Sequence, residues 1–442
     1  MRWLACASCL LACSVRPSSQ QPLIAAPSSA ATLARCEAPL GFTTTRGGVG
    51  GELVRVTSLA AEGEGSLAAA LARSGPRVVV FEVGGVIDLA GRSLNVTEPY
   101  VSVAGQTAPA PGVTLIRGGL QIRTHDVVVQ HLRVRPGEAG HDKRDGWEVD
   151  GISTGSGAAD VIVDHCSLSW ATDENLSASG ARFNGETPDA WRASTSHRIT
   201  FSHNIVAEGL SNSTHRKGEH SKGTLIHDNV TDAAVIGNLY LSNVERSPYF
   251  KGGARGVVVN NWIVNPVAFA MKYALIADEW GEHAYQVGQM AIVGNVFDYG
   301  PNTRSETPLL LAGGAGQCEL YLSGNELRGH LGMTPPLVGG ARELLLMRER
   351  APLWPATLRP LATSEVRASL SQNAGARPWD RDVVDQRVLR EAGAATGHIV
   401  NDERQGGGYP EVAPTRAPFH VEGWDLRCLT QLPASAPQRA AR

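Results

Sequence analysis

Short apolar strands recur along the middle of the chain, and each ends at a polar histidine or asparagine. Seven such strands are VVVQHLRV, VIVDHCSLSW, ITFSHNIV, AVIGNLYL, VVVNNWIV, AIVGNVF and LYLSGNEL, and their polar residues are His131, His165, Asn204, Asn238, Asn261, Asn295 and Asn325. The intervals between successive members are similar in length. All of them fall within the range of about 20 to 50 residues that indicates a solenoid, a propeller or another array of similar units.

The segments between these strands decide which kind of array is predicted. They show no regular amphipathic helix, and the Asn-Gly dipeptides typical of hairpins are nearly absent. We therefore predict an all-β fold, a single-stranded right-handed parallel β-helix, in preference to a β-sandwich or a propeller. Because each coil would stack on the next at about 4.8 Å, the repeated asparagine is expected to form a side-chain ladder at one turn of every coil.

Helical patterns mark both ends of the predicted solenoid. Ser66 can cap the stretch LAAALAR, so a short N-terminal helix is expected before the main run of strands. The stretches RELLLMRERA and RDVVDQRVLREAG predict helices after the last strand. The predicted organisation is a catalytic β-helix over residues 39–340 and a helical and coil extension over residues 341–442 that packs on it.

The first residues, MRWLACASCLLACSV, combine one arginine with a short apolar run and are typical of an export signal. We predict a signal peptide over residues 1–20 and a flexible linker over residues 21–38, so the mature protein is expected to be secreted. Cys13 gives the alternative of a lipid anchor. No later segment is apolar for long enough to cross a membrane.

Four cysteines lie beyond this signal, and none belongs to a CxxC metal motif. They are Cys36, Cys166, Cys318 and Cys428. One or two disulfides are compatible with an oxidising compartment, but the sequence leaves their pairing open. Cys166 lies among alternating apolar residues and is expected to be a buried thiol.

The charge of the chain limits the partners that it can bind. A formal net charge of −3 provides no basic field for nucleic acid, so a polyanion would need a local basic cluster. Such a cluster is present. Only five lysines occur in the 442 residues, and three of them, Lys217, Lys222 and Lys251, lie near Arg246.

Acidic residues cluster before the basic ones. Glu148 and Asp150 are two apart in the sequence, so both would face one side of a strand. Asp173 follows Asp150 at the spacing of a single coil, so stacked coils can bring these two carboxylates together. Oxygen ligands in loose geometry suit calcium. Asp173 and Glu174 are adjacent, so their side chains would face opposite ways on a strand. Two carboxylates that hydrolyse a glycosidic bond must flank that bond, and this arrangement suits such a pair poorly.

Six segments occur in one order between residues 40 and 330: AGQTAPAPG, HLRVRPG, VDGIS, VDHCSLSWATDENLS, HSKGTLI and VERSPYFKGG. Together with the strand pattern they resemble the pectate lyase family of β-helix polysaccharide lyases. The later segment NAGARPWDRDVVDQRV is similar to a tail common in bacterial members. The resemblance implies calcium-assisted β-elimination on pectate-like uronate polymers, an acidic polysaccharide as the partner, and no nucleic acid. We expect a monomer.

The resemblance also assigns calcium ligands. Asp150 matches the main ligand of the family, Glu148 a second acidic position, and Asp173 an acid in the next coil. Ser177 stands where many members carry a further carboxylate. Fewer fixed charges should weaken metal binding, so calcium is expected to arrive mainly with the substrate.

The basic residues receive roles in the same way. Lys222 matches the lysine that holds a substrate carboxylate, Arg246 the catalytic arginine, and Lys251 a position where the family often has a substrate-binding arginine. Neutralising an arginine at about pH 8.5 costs about 5 kcal/mol, against about 3 kcal/mol for a lysine, so acid–base chemistry alone favours Lys222 as the base. The choice of Arg246 depends on the resemblance and on neighbouring cations that lower its pKa, and it predicts an alkaline optimum.

Two other functions stay open. A β-helix glycoside hydrolase acting on polyuronates would need carboxylates on both sides of the scissile bond and no calcium. A non-catalytic polysaccharide-binding β-helix would keep the ladder and lose the site, and Ser177 is compatible with that outcome.

Histidines near the basic cluster allow further chemistry. His215, His220 and His227 flank Lys222 and are candidates for a zinc site or for acid–base catalysis. Their spacing matches no zinc motif, so a structural or supporting role is favoured. His165 is expected to orient a turn beside the acidic site.

Overall fold

The chain winds into successive coils that build three sheets, and the computed structural model describes residues 41–330 and 333–432. Each full coil contributes one strand to each sheet in turn. Sheet 1 has 11 strands: Glu52–Val56, Arg77–Phe81, Val101–Ala104, His125–Gln130, Ala159–Asp164, His197–Ser202, Thr231–Ile236, Arg255–Val259, Gly288–Val293, Cys318–Ser323 and Leu345–Met347.

Sheets 2 and 3 complete each coil. Sheet 2 contains Val83–Asp88, Val113–Ile116, Arg133–Arg135, Ser167–Ser169, Ile205–Ala207, Leu239–Leu241, Trp262–Val264, Val296–Asp298 and Glu326–Arg328, with the antiparallel Thr415–Arg416 at its edge. Sheet 3 contains Leu94–Val96, Leu120–Ile122, Ile152–Thr154, Glu174–Ala178, Lys222–Ile226, Tyr249–Lys251, Met271–Leu275, Leu310–Gly314 and Val338–Gly340. A separate antiparallel pair joins Trp424–Asp425 to Thr430–Gln431.

Helices are short and lie outside the coil. The α-helices are α1 (Leu67–Leu71), α2 (Pro188–Ser194), α3 (Ala277–Trp280), α4 (Thr363–Asn373) and α5 (Val383–Ala394). Three single turns of 3-10 helix occur at Gly105–Thr107, Arg342–Leu344 and Val421–Gly423.

Neighbouring coils pair in parallel register, and apolar side chains fill the interior. In sheet 1, Val129 pairs with Val163 and Val163 with Phe201, one coil after another. All three side chains are buried. Because the same sheet position is apolar in every coil, the core is continuous along the stack, and the predicted parallel β-helix is confirmed.

The predicted asparagine ladder runs through five coils. The side-chain Nδ2 of each asparagine donates to Oδ1 of the next at 3.0 Å, and the same Oδ1 accepts a backbone N–H at 2.8–3.0 Å. Its members are Asn204, Asn238, Asn261, Asn295 and Asn325. Each bend from sheet 1 into sheet 2 is thereby supplied with buried hydrogen bonds.

Histidines do not continue this ladder, contrary to the sequence pattern. His131, His165 and His203 occupy the preceding position, where the backbone φ is 51–55°. In the following coils the same corner is taken by Gly237 and Asn260, whose φ values are 63° and 54°. In these five coils the corner residue is therefore left-handed, a conformation that asparagine and histidine adopt more readily than most residues.

The ends of the coil differ from the sequence prediction at one point. Ser66 caps α1 as predicted, since its Oγ accepts a hydrogen bond from the Ala69 N–H at 3.1 Å. The stretch RELLLMRERA was expected to be helical, but Leu345–Met347 is the last strand of sheet 1 and pairs with Cys318–Ser323. The apolar residues around this segment are partly or fully buried. Their packing favours a strand and outweighs local helix propensity, which is a weak signal.

Helix α5 is attached to sheet 2 by buried ion pairs. Arg135 donates to Asp382 Oδ2 at 2.6 Å and to Asp385 Oδ1 at 3.0 Å. Arg133 lies 3.5 Å from both carboxylates, and both arginine side chains are almost fully buried. Removal of either partner would leave an uncompensated buried charge, so this contact fixes the helix against the coil.

Cys166 and Cys318 are buried free thiols, as predicted for Cys166. Cys428 takes part in a disulfide bond. Within the described ranges, no helix is both long and apolar enough to cross a membrane. The predicted signal peptide, the linker, Cys13 and Cys36 lie outside the described residues.

Candidate active site

Four of the predicted site residues gather where loops from sheet 2 enter sheet 3, namely Asp150, Asp173, Lys222 and Arg246. Asp150 and Asp173 each lie just before a strand of sheet 3, on neighbouring coils. Glu174 pairs with Lys222 on the following coil, and Lys222 forms a bridge with Glu245. Coiling thus turns residues that are far apart in sequence into neighbours along one edge.

Asp150, Asp173 and Glu174 form the acidic group of the site, with carboxylate oxygens within 4.8 Å of one another. Asp150 accepts hydrogen bonds from the Glu174 N–H at 3.1 Å and from Ser177 Oγ at 2.6 Å. Burial and the nearby charge of Asp173 raise the pKa of Asp150 to about 8. A cation placed among these oxygens would relieve the repulsion between the carboxylates.

The acidic group differs from the sequence expectation in its membership. Coiling brings Asp150 and Asp173 together as anticipated, but Asp173 and Glu174 also converge, so the expectation that they face opposite ways is wrong. The reason is that Asp173 precedes the first residue of its strand, where the alternation of faces does not apply. Glu174 lies in the acidic cluster of the sequence but is not among the predicted ligands, and its adjacency to Asp173 is the signal that points to it.

Glu148 lies at the margin of the site, outside the acidic group. Its Oε1 accepts a hydrogen bond from the Arg216 N–H at 3.1 Å and lies 3.6 Å from His215 Nδ1. The expected common strand face of Glu148 and Asp150 is absent, because both residues precede the strand Ile152–Thr154 and belong to a loop.

His215 and His220 stack beside Asp173, with ring centroids 3.7 Å apart. His220 Nε2 lies 2.7 Å from Asp173 Oδ1, and His215 Nε2 lies 3.8 Å from the same oxygen. His215 Nδ1 accepts a hydrogen bond from the Lys217 N–H, so its proton is on Nε2 and faces the carboxylate. Burial acts to raise the pKa of Asp173, but the hydrogen bond from His220 and the charge of that imidazole lower it overall.

Arg246 occupies a bulge in the register of sheet 3. Lys222 bridges to Glu245, and Leu225 pairs with Tyr249. The sequence separation between the paired residues is therefore larger in the second pair than in the first. The extra residue is accommodated at Arg246, whose φ of 68° lies in the left-handed region. Bulges redirect side chains and are frequent next to active sites.

Both cations next to the acidic group already have a carboxylate partner. Arg246 Nη1 is hydrogen-bonded to Glu174 Oε1, and Lys222 Nζ to Glu245 Oε1. Burial lowers the pKa of Arg246, while the charge of Asp173 opposes that shift. Neighbouring cations are the expected cause of a lowered pKa at Arg246, whereas burial is its largest cause here.

Lys251 belongs to a second cluster of charges at the far end of its strand. Its Nζ contacts Glu279 Oε2 and lies 3.4 Å from Asp228 Oδ2. Arg182 contacts the same two carboxylates, at 2.8 and 3.0 Å. His227 lies 3.6 Å from Asp228 and is therefore part of this cluster, away from the other two histidines near Asp173.

One face of sheet 3 connects these groups. A column of paired residues runs across six coils, namely Gln121, Ser153, Ser177, Leu225, Tyr249 and Lys272. A shallow polar depression adjoins Asp150 and is lined by Gln121, Ser153, Ser177 and Ser179. Lys272 Nζ lies 5.0 Å from the centre of the Tyr249 ring, and the Arg246 guanidinium lies 5.6 Å from it.

Comparison with known proteins identifies relatives of this chain. No protein-family model matches the chain. A probable pectate lyase C of Emericella nidulans is 30% identical over 396 residues, which are 85% of this chain and 80% of that protein. The chain belongs to the pectate lyase family. A probable pectate lyase C of Aspergillus fumigatus is 30% identical over 383 residues, 82% of this chain and 78% of that protein.

Membership of the pectate lyase family confirms the family resemblance of the sequence motifs, and the protein is a pectate lyase-like polysaccharide lyase. Among solved structures, the major cedar pollen allergen Jun a 1 matches with a TM-score of 0.55 and 16% identity over 77% of this chain and 93% of that chain. A pectate lyase bound to a hexasaccharide matches with a TM-score of 0.52 and 13% identity over 76% of this chain and 94% of that chain. At these identities the structural matches establish the shared fold.

Proposed function

We propose that this protein cleaves pectate or a polygalacturonate-like polymer by calcium-assisted β-elimination. The observation that carries the proposal is the contact between acidic and basic groups. Arg246 is hydrogen-bonded to Glu174, whose carboxylate lies within 4.8 Å of those of Asp150 and Asp173. Elimination next to a uronate carboxylate needs a base and a cation-binding group at one place.

The acidic group suits calcium by its donor chemistry. Calcium takes oxygen ligands in flexible geometry, and Asp150 and Asp173 would be its main ligands, with Glu148 as a third acidic residue at the margin. The raised pKa of Asp150 marks a position where positive charge is favourable. When bound, calcium would neutralise the uronate carboxylate and make the neighbouring C–H more acidic. Ser177 adds no charge, so we expect weak binding that the substrate strengthens.

Arg246 would act as the base. Its neutral guanidine takes the proton from the carbon that carries the uronate carboxylate, and the C–H electron pair becomes a new C=C bond. The bond from the adjacent carbon to the glycosidic oxygen breaks, and the departing oxygen takes a proton from water. Because burial lowers the pKa of Arg246, more of the neutral form is present at alkaline pH, and the rate should rise with pH.

The two lysines would bind carboxylates of the polymer to different extents. Among the residues that the structure describes, Lys222 has one carboxylate partner, Glu245, which a substrate carboxylate can replace. Lys251 faces both Glu279 and Asp228, so a substrate would compete with two fixed charges. We therefore expect Lys222 to contribute more to substrate affinity than Lys251.

The test is direct. Purified protein is incubated with polygalacturonate and calcium, and the ultraviolet absorbance of the unsaturated uronate end is followed. Absorbance should rise, a chelator should abolish the rise, and added calcium should restore it. Reducing ends without absorbance would indicate hydrolysis, and neither signal would indicate binding only.

We further propose that the protein acts outside the cell as a monomer. The support is the export-signal pattern of residues 1–20 together with a polymeric substrate that cannot enter a cell intact. Fractionation of the producing culture, with antibody detection in medium and membranes, separates a secreted form from one anchored through Cys13. Light scattering of the purified protein measures its oligomeric state.

A further inference from the structure

Four charged residues, Arg182, Asp228, Lys251 and Glu279, lie together where four consecutive strands of sheet 3 end. Each comes from a different coil. Lys251 is the last residue of its strand, and the other three follow theirs. We call this set the second charge cluster. The proposed elimination gives no role to Arg182 or Glu279.

Asp228 is the inner anion of the cluster. Its side chain is fully buried, its Oδ1 accepts a hydrogen bond from Trp280 Nε1 at 2.7 Å, and its Oδ2 accepts one from Arg182 Nε at 3.0 Å. Lys251 Nζ lies 3.4 Å from the same Oδ2. Separating Asp228 from these partners would leave a buried charge uncompensated, so it stays in place when a ligand binds.

Glu279 is the outer anion of the cluster. Its side chain is 37% exposed, and its Oε2 contacts Lys251 Nζ and lies 2.8 Å from Arg182 Nη2. Two cations from different coils thus converge on one carboxylate oxygen at the surface. Ion pairs that solvent reaches contribute little free energy, so another carboxylate can take the place of this one.

The balance of charge shows what displacement of Glu279 would leave. Arg182 and Lys251 carry two positive charges, of which Asp228 compensates one and Glu279 the other. The two cations are themselves largely buried, with side chains 24% and 10% exposed. Without Glu279 they would present one uncompensated positive charge, and the planar guanidinium and the ammonium both suit a carboxylate of a ligand.

The backbone of helix α3 can stay in place while the Glu279 side chain moves. The neighbouring Trp280 is fully buried and packs edge-on against Phe183 and Trp191. Arg182 Nη1 also donates to the Glu279 carbonyl at 3.4 Å. Displacement of the carboxylate therefore requires only a rotation of the side chain.

The second charge cluster lies on the same face of sheet 3 as the proposed base. Lys251 and Tyr249 are two apart on one strand, so their side chains point the same way. The Tyr249 ring lies 5.6 Å from the Arg246 guanidinium. Burial lowers the pKa of Arg246, and the charge of Glu279 is among those that oppose this shift. A polymer bound at Arg246 can therefore also contact the cluster.

We propose that Arg182 and Lys251 bind one carboxylate of the uronate polymer, and that Glu279 occupies this subsite until the polymer displaces it. The inference rests on the proposed function, because it takes a polyuronate as the substrate. Glu279 is then a built-in competitor that a charged carboxylate can replace. A methyl ester carries no charge and cannot replace it, so the subsite favours de-esterified polymer.

Calorimetric titration with de-esterified oligogalacturonate and calcium tests the subsite. All variants are made on an Arg246→Ala chain, so that turnover does not disturb the measurement. Glu279→Gln should bind the oligomer about threefold more tightly, because the carboxylate that competes for the two cations is gone. Methyl-esterified oligomer should show no such gain. Glu282→Gln removes an exposed carboxylate from the same loop and is the matched control, with unchanged affinity.

Arg182 gives a second, opposite readout. Arg182→Gln should weaken binding of the de-esterified oligomer, and Arg182→Lys, which keeps the charge, should restore most of it. Because Arg182 is also a partner of buried Asp228, circular dichroism and urea denaturation accompany these titrations. A destabilised Arg182→Gln protein leaves the decision to Glu279→Gln, whose changed side chain is partly exposed.

The subsite is refuted if Glu279→Gln binds the de-esterified oligomer no more tightly than Glu282→Gln, or if the gain is equal for the esterified oligomer. The four charges would then serve only to hold α3 against the coil. The titration measures binding, whereas the proposed function is tested by absorbance of the product. Elimination by the unchanged protein without a gain in Glu279→Gln would overturn this inference alone.

Discussion

Two rows of polar residues run across the coils. Burial of their polar groups is compensated by hydrogen bonds between identical amides in one row and by ion pairs in the other. The row at the bend into sheet 2 repeats one residue, asparagine, whose amide both donates and accepts. Each member therefore binds an identical neighbour at 3.0 Å, and the row carries no charge. The row at the entrance to sheet 3 combines opposite charges, as in the pairs Lys222–Glu245 and Arg246–Glu174.

This difference between the two rows suggests that one stabilises the fold and the other performs the reaction. An amide ladder is self-sufficient, and any ligand that entered it would break as many hydrogen bonds as it made. A charged row has partners that can be exchanged, because a polyanion can take the cations and a metal ion can take the carboxylates. We expect the ladder to hold the fold and the charged row to perform the reaction, and four changes test that division.

The largest effect is expected for Arg246→Ala. Loss of the general base should lower turnover of polygalacturonate by about a thousandfold, within the range that such catalysis contributes. Circular dichroism and calcium affinity should stay close to those of the unchanged protein. Arg390→Ala, which removes an exposed arginine of α5, is the matched control. Retention of most activity in Arg246→Ala would remove this residue from the role of base.

Asn238→Ala should affect the other row. The Asn238 side chain donates to Asn261 and to the Phe201 carbonyl, and it accepts from Asn204. Leaving these buried partners unsatisfied should reduce the free energy of unfolding by about 3 kcal/mol, measured by urea denaturation. Activity per folded molecule should be unchanged, whereas exposed Asn95→Ala should change neither quantity. A stable but inactive Asn238→Ala protein would contradict the division.

Asp150 should give the calcium-free protein a pH-dependent stability. Its folded pKa is about 8, while the unfolded chain releases this proton near pH 4, so the folded state holds the extra proton between these values. At about 1.4 kcal/mol per pKa unit, stability should therefore fall by up to about 5 kcal/mol as pH rises from about 4 to 8. Saturating calcium or Asp150→Asn should flatten the profile. A slope that survives both would assign the effect to other groups.

Lys222→Gln should have the smallest effect of the four. The KM for de-esterified polygalacturonate should rise about tenfold, since one charge-assisted contact is lost, while kcat changes little. Lys251→Gln should raise KM by less, because two carboxylates compete for that lysine. An equal or larger increase for Lys251→Gln would show that the polymer displaces Asp228 and Glu279.

The architecture could be read from the order of residue types alone. Alternating apolar residues predicted the strands, and asparagines at Asn204, Asn238 and the following repeats predicted the ladder. These features are readable because each depends on a local pattern that returns in every coil. The motifs around Asp150, Lys222 and Arg246 were readable for another reason, since they match a known family.

The distribution of the charges depends on the folded chain. Glu174 joins the acidic group because Asp173 precedes its strand, and Glu148 is displaced to the margin because its segment is a loop. Lys251 is held by Asp228 and Glu279, which lie on other coils. Such contacts depend on register, on one bulge and on loop paths between coils, and a one-dimensional pattern of residue types contains none of these.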